Sequence, residues 1–205
     1  MKNKGSLIVI SGFSGVGKGT VVKRLVSDYG YDLSISATTR EPRAGEENGR
    51  EYFFMSRSEF ENLIDYNGFV EWTEYVENYY GTPRKNVEAS LSKGHNIILE
   101  IEVMGALKIK EQYPDALLIF VSAPSIESLR ERLLGRGTET AESIRKRLKK
   151  ATEEACDMDK YDYVVVNDDL EECVKTVNSI IVSYACRRDN NKAFIDSIKK
   201  DLENI

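Results

Sequence analysis

The sequence predicts an α/β fold, a parallel-sheet core with crossover helices and one small inserted mixed β lobe, on three observations. An apolar run at 7–11 leads into the glycine-rich loop Gly12-Phe13-Ser14-Gly15-Val16-Gly17-Lys18-Gly19-Thr20. Strand-like and helix-like stretches then alternate, as parallel strands joined by crossover helices require. The segment 40–91 breaks that rhythm, being rich in Tyr, Phe, Glu and Gly and carrying runs such as Tyr52-Phe53-Phe54-Met55 and Phe69-Val70-Glu71-Trp72.

Taken in order, the first element is Leu7-Ile8-Val9-Ile10-Ser11, a continuous apolar strand of the kind buried on both faces. The loop after it has the pattern G-x-x-x-x-G-K. Gly12, Gly15 and Gly17 let successive backbone N–H groups converge on phosphate oxygens, and Lys18 adds a point charge for β- and γ-phosphates. The Ser or Thr usual after the lysine is Gly19, with Thr20 one residue late, so a Mg²⁺ ion would lean on water and nucleotide oxygens. A helix over 18–27 follows, with Val21, Val22 and Leu25 spaced for one face. Further strands are expected at 32–36, 96–101, 117–121 and 163–166. Helices are expected at 103–112, 126–134, 141–155, 170–188 and 193–202. The strand 96–101 places Glu100 and Glu102 two apart, on one side of the pleat. Gly135 and Gly137 flank Arg136 as the chain leaves a helix, which suits a lid. In 141–155, Ile144, Leu148 and Ala151 form a packing face with Arg147 on another side. Asn167 and Asp168 follow the last strand, at the carboxyl edge where open α/β sheets bind ligands.

A chain of 205 residues with 41% hydrophobic content can bury the core of a single domain. The formal net charge of -5 argues against a general nucleic-acid binder. Cys156, Cys173 and Cys186 lack metal-ligand spacing, and the single His95 cannot build a His-Cys metal site, so the cysteines read as reduced thiols of a cytoplasmic protein. The apolar run near the N-terminus is too short for a signal peptide or a membrane span.

The segment Ser36-Ala37-Thr38-Thr39-Arg40-Glu41-Pro42-Arg43-Ala44-Gly45-Glu46 sets two arginines three apart around a proline that disfavours helix. Two guanidinium forks there can grip one phosphate from two sides, and the alternative is a pair of solvated loop arginines. On the residues alone, Tyr52 and Tyr80 read as lobe-core aromatics with a satisfied hydroxyl.

With these segments the chain resembles the guanylate kinase family. The resemblance is carried by the loop 12–20, by 36–46, by Gly49-Arg50-Glu51-Tyr52-Phe53-Phe54, by Phe69-Val70-Glu71-Trp72 and by Asn78-Tyr79-Tyr80-Gly81-Thr82. It continues through Ile98-Leu99-Glu100-Ile101-Glu102-Val103, 132–140 and Val166-Asn167-Asp168-Asp169-Leu170, and spans roughly residues 5 to 185. It implies transfer of the ATP γ-phosphoryl group to GMP, with dGMP expected as an acceptor as well, by direct in-line attack with Mg²⁺ accompanying ATP. The resemblance implies that Gly12, Phe13, Ser14, Gly15, Val16, Gly17, Lys18, Gly19 and Thr20 hold ATP, with Asn167 and Asp168 bordering the adenine. It sets Lys18, Arg132, Arg136 and Arg147 around the transferring group. Ser36, Glu71 and Glu100 then face the guanine, with Thr82 as a further contact, and Arg40, Arg43, Tyr52 and Tyr80 hold the GMP phosphate. Glu102 organises Mg²⁺ through water. The family more often has glutamine where this chain has Met104. The implied parts are a core of 5–36, 95–125 and 157–190, a GMP lobe of 37–91, a helical lid of 126–156 and an extension of 190–205. The expected partners are ATP and GMP, with no nucleic acid and no membrane, in a monomer or homodimer. A non-catalytic interaction module and a kinase for another small phosphate ester are the alternatives; the intact loop and the set Ser36, Glu71 and Glu100 count against them.

Overall fold

The structure is a computed structural model that describes residues 5–75, 77–135 and 141–203. In chain order the first elements are β1 (Leu7–Gly12), α1 (Lys18–Tyr29), β2 (Asp32–Leu33), β3 (Ala37–Thr38), β4 (Phe53–Phe54), α2 (Arg57–Asp65), β5 (Phe69–Tyr75), β6 (Asn78–Pro83) and α3 (Arg84–Ser92). There follow β7 (Ile97–Glu100), α4 (Val103–Gln112), β8 (Leu117–Ser122), α5 (Ile126–Leu134), α6 (Ala141–Ala155), β9 (Tyr163–Val166), α7 (Leu170–Ala185) and α8 (Lys192–Leu202).

Five parallel strands form the core sheet in the order β2-β7-β1-β8-β9. The apolar runs predict this placement, since β1 is buried along its whole length and β8 is buried up to its last residue. Helices cover the sheet through Val21, Val22 and Leu25 of α1, Ala106 and Ile109 of α4, and Val174, Val177 and Ile181 of α7. A second, mixed sheet runs β4-β3-β6-β5, with β3 parallel to β4 and antiparallel to β6. It is the expected inserted lobe, and among the described residues its own buried cluster is Ala37, Phe60 and Phe69, with partly buried side chains such as Leu63 and Tyr79 packed against it.

Four expectations need correction. The strand expected at 32–36 is divided between the sheets. Ser34 N–H still donates to Ile98 O at 2.9 Å, whereas the Ser36 carbonyl already accepts from Phe53 N–H of the lobe. The lobe also holds two helices that the β reading omitted. One of them, α2, is nucleated by a capping box in which Ser56 and Glu59 satisfy each other's backbone N–H. The helix expected to reach 188 stops at Ala185, because the Asn190 and Asn191 amides take the carbonyls of Tyr184 and Ala185. Finally, β7 ends at Glu100 and Glu102 is the N-cap residue of α4, so the two carboxylates do not share a pleat face.

Candidate active site

The loop after β1 has the backbone its glycines predict. Gly12 has φ 139°, and a Cβ there would lie 2.0 Å from the Val121 carbonyl oxygen of β8, so only glycine lets the strand turn this tightly. Gly17, at φ 95°, is the N-cap residue of α1, and no side chain caps that helix. Its first-turn N–H groups and dipole are therefore turned to the loop, which makes an anion site.

Lys18 opens α1 and folds back, donating to the carbonyls of Gly12 at 2.5 Å and Phe13 at 3.0 Å. Burial pushes its pKa below the usual lysine value, and the carboxylates of Glu100, Glu154 and Glu102 oppose that shift. Phe13 and Val16 point into the core, Phe13 meeting Phe120 edge-on at 4.9 Å, so they offer the site backbone rather than side chain. Ser14 receives a hydrogen bond from Arg147 of α6. The Val16 carbonyl accepts from Asn167 Nδ2 at 2.8 Å and from Arg132 Nη1 of α5 at 3.4 Å. Asn167 is buried and spends its amide on the loop, while Asp168 beside it is exposed. Gly15, Gly19 and Thr20 remain accessible around the loop. Arg136 lies outside the described residues.

The lobe brings the second group together. Glu71 and Thr82 are cross-strand partners in β5 and β6, just past a bulge between Phe69 and Glu71 that re-aims the strand. Both are buried, and Thr82 Oγ1 donates to Glu71 Oε1 at 2.7 Å. Burial raises the Glu71 pKa, against the Thr82 hydroxyl and the Lys108 ammonium. A Cβ at Gly105 would lie 2.9 Å from Glu71 Oε2, so the glycine after Met104 is what allows α4 to reach this carboxylate. Met104 itself is exposed.

Arg40 is held on several sides. Its Nη2 lies 3.0 Å from each Glu46 oxygen, its Nη1 donates to the Glu41 carbonyl at 2.6 Å, and its guanidinium carbon stands 5.5 Å from the Tyr52 ring centroid. Tyr52 meets the Tyr80 ring at 6.0 Å, nearly edge-on. The Arg43 backbone N–H donates to Glu46 at 2.8 Å while its side chain is exposed. That backbone bond and the Arg40 fork pull the Glu46 pKa down. Glu46 had no role in the sequence reading, though it ends the very segment that carries both arginines. Ser36, half-buried, sits where the chain passes from core sheet to lobe.

Glu100 joins the two groups. It stands at the carboxyl end of β7, its Oε1 3.4 Å from where a Gly19 side chain would begin, and its charge acts on Lys18 and on Tyr52. Its carboxylate is crowded enough for desolvation to raise its pKa, with Lys18 opposing. Glu102 instead pairs with Lys150 of α6 at 2.5 Å. Among the described residues, no cluster of three or more His, Cys, Asp or Glu could hold a metal ion, and no helix is long and apolar enough to cross a membrane.

A family model described as guanylate kinase matches residues 4–184. The chain is 47% identical over 202 residues to a guanylate kinase of Caldanaerobacter subterraneus subsp. tengcongensis, with 98% of each chain covered. It is 51% identical over 189 residues to one of Halalkalibacterium halodurans, covering 92% of this chain and 93% of the other. The crystal structure of guanylate kinase from Anaplasma phagocytophilum matches with a TM-score of 0.73 at 35% identity, over 89% of this chain and 87% of that one.

Proposed function

Since the chain belongs to the guanylate kinase family and is an ATP:GMP phosphotransferase, we propose how its own residues divide the work. The loop 12–20 and the start of α1 hold the ATP phosphates, and Lys18 swings from the Gly12 and Phe13 carbonyls to the β- and γ-oxygens. Arg132 and Arg147, already hydrogen-bonded to the loop, stabilise the charge of the transferring phosphoryl group. Asp168 borders the adenine, and Asn167 braces the loop beneath it.

The lobe takes GMP. Guanine offers donors at N1 and N2 and an acceptor at O6, so Glu71 accepts the donor pair while Ser36 donates to O6, with Thr82 and Glu100 completing the pocket. Adenine has no N1–H and no 2-amino group, and would leave the buried Glu71 short of donors. Arg40, Arg43, Tyr52 and Tyr80 hold the phosphate, with dGMP serving as a second acceptor. That phosphate is already anionic, so no side chain acts as base, and its oxygen attacks the γ-phosphorus in line.

Mg²⁺ fits as an ion carried in by ATP. With Gly19 after the lysine and Glu102 engaged by Lys150, the phosphates and water supply its ligands. When bound, the ion neutralises charge on the phosphates.

The observation that carries this reading is Glu100, which touches the phosphate loop on one side and acts on Tyr52 of the lobe on the other. The test is ADP formation from ATP with GMP, dGMP, AMP, CMP or UMP offered in turn. GMP and dGMP should support turnover, and Lys18→Ala should lower it by about a thousandfold. Equal rates with AMP, or an undiminished Lys18→Ala enzyme, would overturn the assignment.

A further inference from the structure

Glu154 has no part in the roles above, yet it is a buried carboxylate, 8% exposed, whose Oε2 has no hydrogen-bond partner. Its Oε1 stands 3.8 Å from Lys150 Nζ. On α6, Arg147, Lys150 and Glu154 follow at helical spacing and share a face. That face is turned to the phosphate loop: Arg147 donates to Ser14, and Lys150 reaches Glu102 at the head of α4. Ile144 and Ala151 of the same helix are buried in the core, which holds the face in place.

Two other buried oxygens that find no partner of good geometry, Ser11 Oγ and Tyr161 Oη, gather with Glu154. Ser11 immediately precedes Gly12, whose carbonyl accepts from Lys18 at 2.5 Å. An orphaned buried carboxylate is costly, so its retention here calls for a charge to face. Lys150 stands 3.8 Å away and acts on Glu154 most strongly, but its ammonium is engaged by Glu102 at 2.5 Å, and Lys18 is the second cation whose charge acts on Glu154. The groups that act on Lys18 are Glu100 from β7, Glu102 from the head of α4, and Glu154 and Lys150 from α6. Glu102 is engaged by Lys150, and Glu100 opens on the acceptor side. Around Glu154 itself stand Lys150 and Glu153 of its own helix, Lys18, Glu102 and Tyr161.

We infer that Glu154 is a positioning residue for Lys18: on the helix face that also carries Arg147, it supplies the buried counter-charge that keeps the ammonium poised at the phosphate loop. Seating α6 and arming the loop are then one event. The inference rests on the reading of Lys18 as the phosphate-binding lysine.

The experiment is calorimetric titration of the full chain with ATP, without GMP, from about pH 7 to about pH 10.5. Affinity falls as Lys18 loses its proton, while Tyr161, whose pKa burial pushes up to about 12, stays protonated. Glu154→Gln removes a charge that favours the ammonium, so the midpoint of that fall moves down by about one pH unit. Glu154→Asp, which keeps the charge, and Glu153→Gln, an exposed neighbour, leave it in place. Coincident midpoints for the parent and Glu154→Gln, with or without a lowered Tm, would overturn the inference. So would a Glu154→Asp displaced as far as Glu154→Gln. Lys18→Ala abolishes the pH-dependent fall. If it does not, the reading of Lys18 fails and takes the inference with it, whereas an abolished fall with an unmoved Glu154→Gln sinks only Glu154.

Discussion

The glycine-rich loop and the lobe, which we propose as the two nucleotide sites, are made of different materials. The loop presents backbone N–H groups fixed by Gly12 and Gly17, and it rests on a core that includes fully buried β1 and β8 residues. The lobe presents side chains on a mixed sheet in which two strands are only two residues long, over a cluster whose buried members among the described residues are Ala37, Phe60 and Phe69. A site made of backbone is built when the sheet is built. A site made of side chains depends on how well its small cluster is packed, and so is the softer half.

The sharpest way to break that comparison is Phe60→Ala. Phe60 is fully buried on α2 and stacks on Phe69 at 4.2 Å and on Tyr79 at 5.2 Å. Losing a buried phenylalanine costs about 3–5 kcal/mol, more than a cluster this small can absorb. If the lobe is a separate soft unit, kcat/KM for GMP should fall by about a hundredfold or more, while ATP affinity without GMP stays within about twofold. A matching loss of ATP affinity would show that loop and lobe stand or fall together.

Glu71→Gln asks the same question of one carboxylate. It should cut the preference for GMP over AMP by about ten- to a hundredfold, because an amide offers one acceptor oxygen and adds donors that face N1–H. Burial raises the folded-state pKa of Glu71. The folded state therefore holds this proton to higher pH than the unfolded chain, and stability falls as pH rises from the ordinary carboxylate range through the raised value. The parent should lose that increment across the window and Glu71→Gln should not, as paired thermal melts would show. Glu100 and Glu154 are raised by burial too, so they leave a slope in both proteins, and the difference isolates the lobe.

How much was legible follows the same division. Strands β1, β8 and β9 and helices α4, α5 and α6 could be read because continuous apolar runs and helical spacing mark them directly. The loop could be read because its chemistry is local in sequence. Helices α2 and α3 were hidden by length: each has nine residues, and Phe60 is the one buried residue of α2. The Ser56-x-x-Glu59 pattern is a local helix-start signal, but it stands among strand-like neighbours. Nothing local in Ser34-Ile35-Ser36 says that the chain changes sheets there. Glu102 was misplaced because spacing alone does not say where a strand stops: β7 ends at Glu100, and Glu102 at the head of α4 pairs with Lys150. The family resemblance supplied the proposed acceptor residues, but not the groups that hold them in place, such as Glu46 and Gly105.

Glu46→Gln carries the smallest expected effect and separates the two kinds of site most finely. Glu46 binds both oxygens to the Arg40 fork and takes the Arg43 backbone N–H, so it fixes the loop that presents the two arginines. An anion already beside Arg40 has two possible consequences: it aims the guanidinium, or it competes with the incoming phosphate. The geometry favours aiming, because the Glu41 carbonyl and the Tyr52 ring hold Arg40 as well, leaving one acceptor among several constraints. Glu46→Gln should therefore raise KM for GMP by about three- to tenfold with kcat little changed. The difference should shrink in high salt, since an ion pair at this partly open position is screened. A lowered KM would instead identify Glu46 as a resident competitor of the phosphate. The lobe would then be held open by its own charge rather than by weak packing.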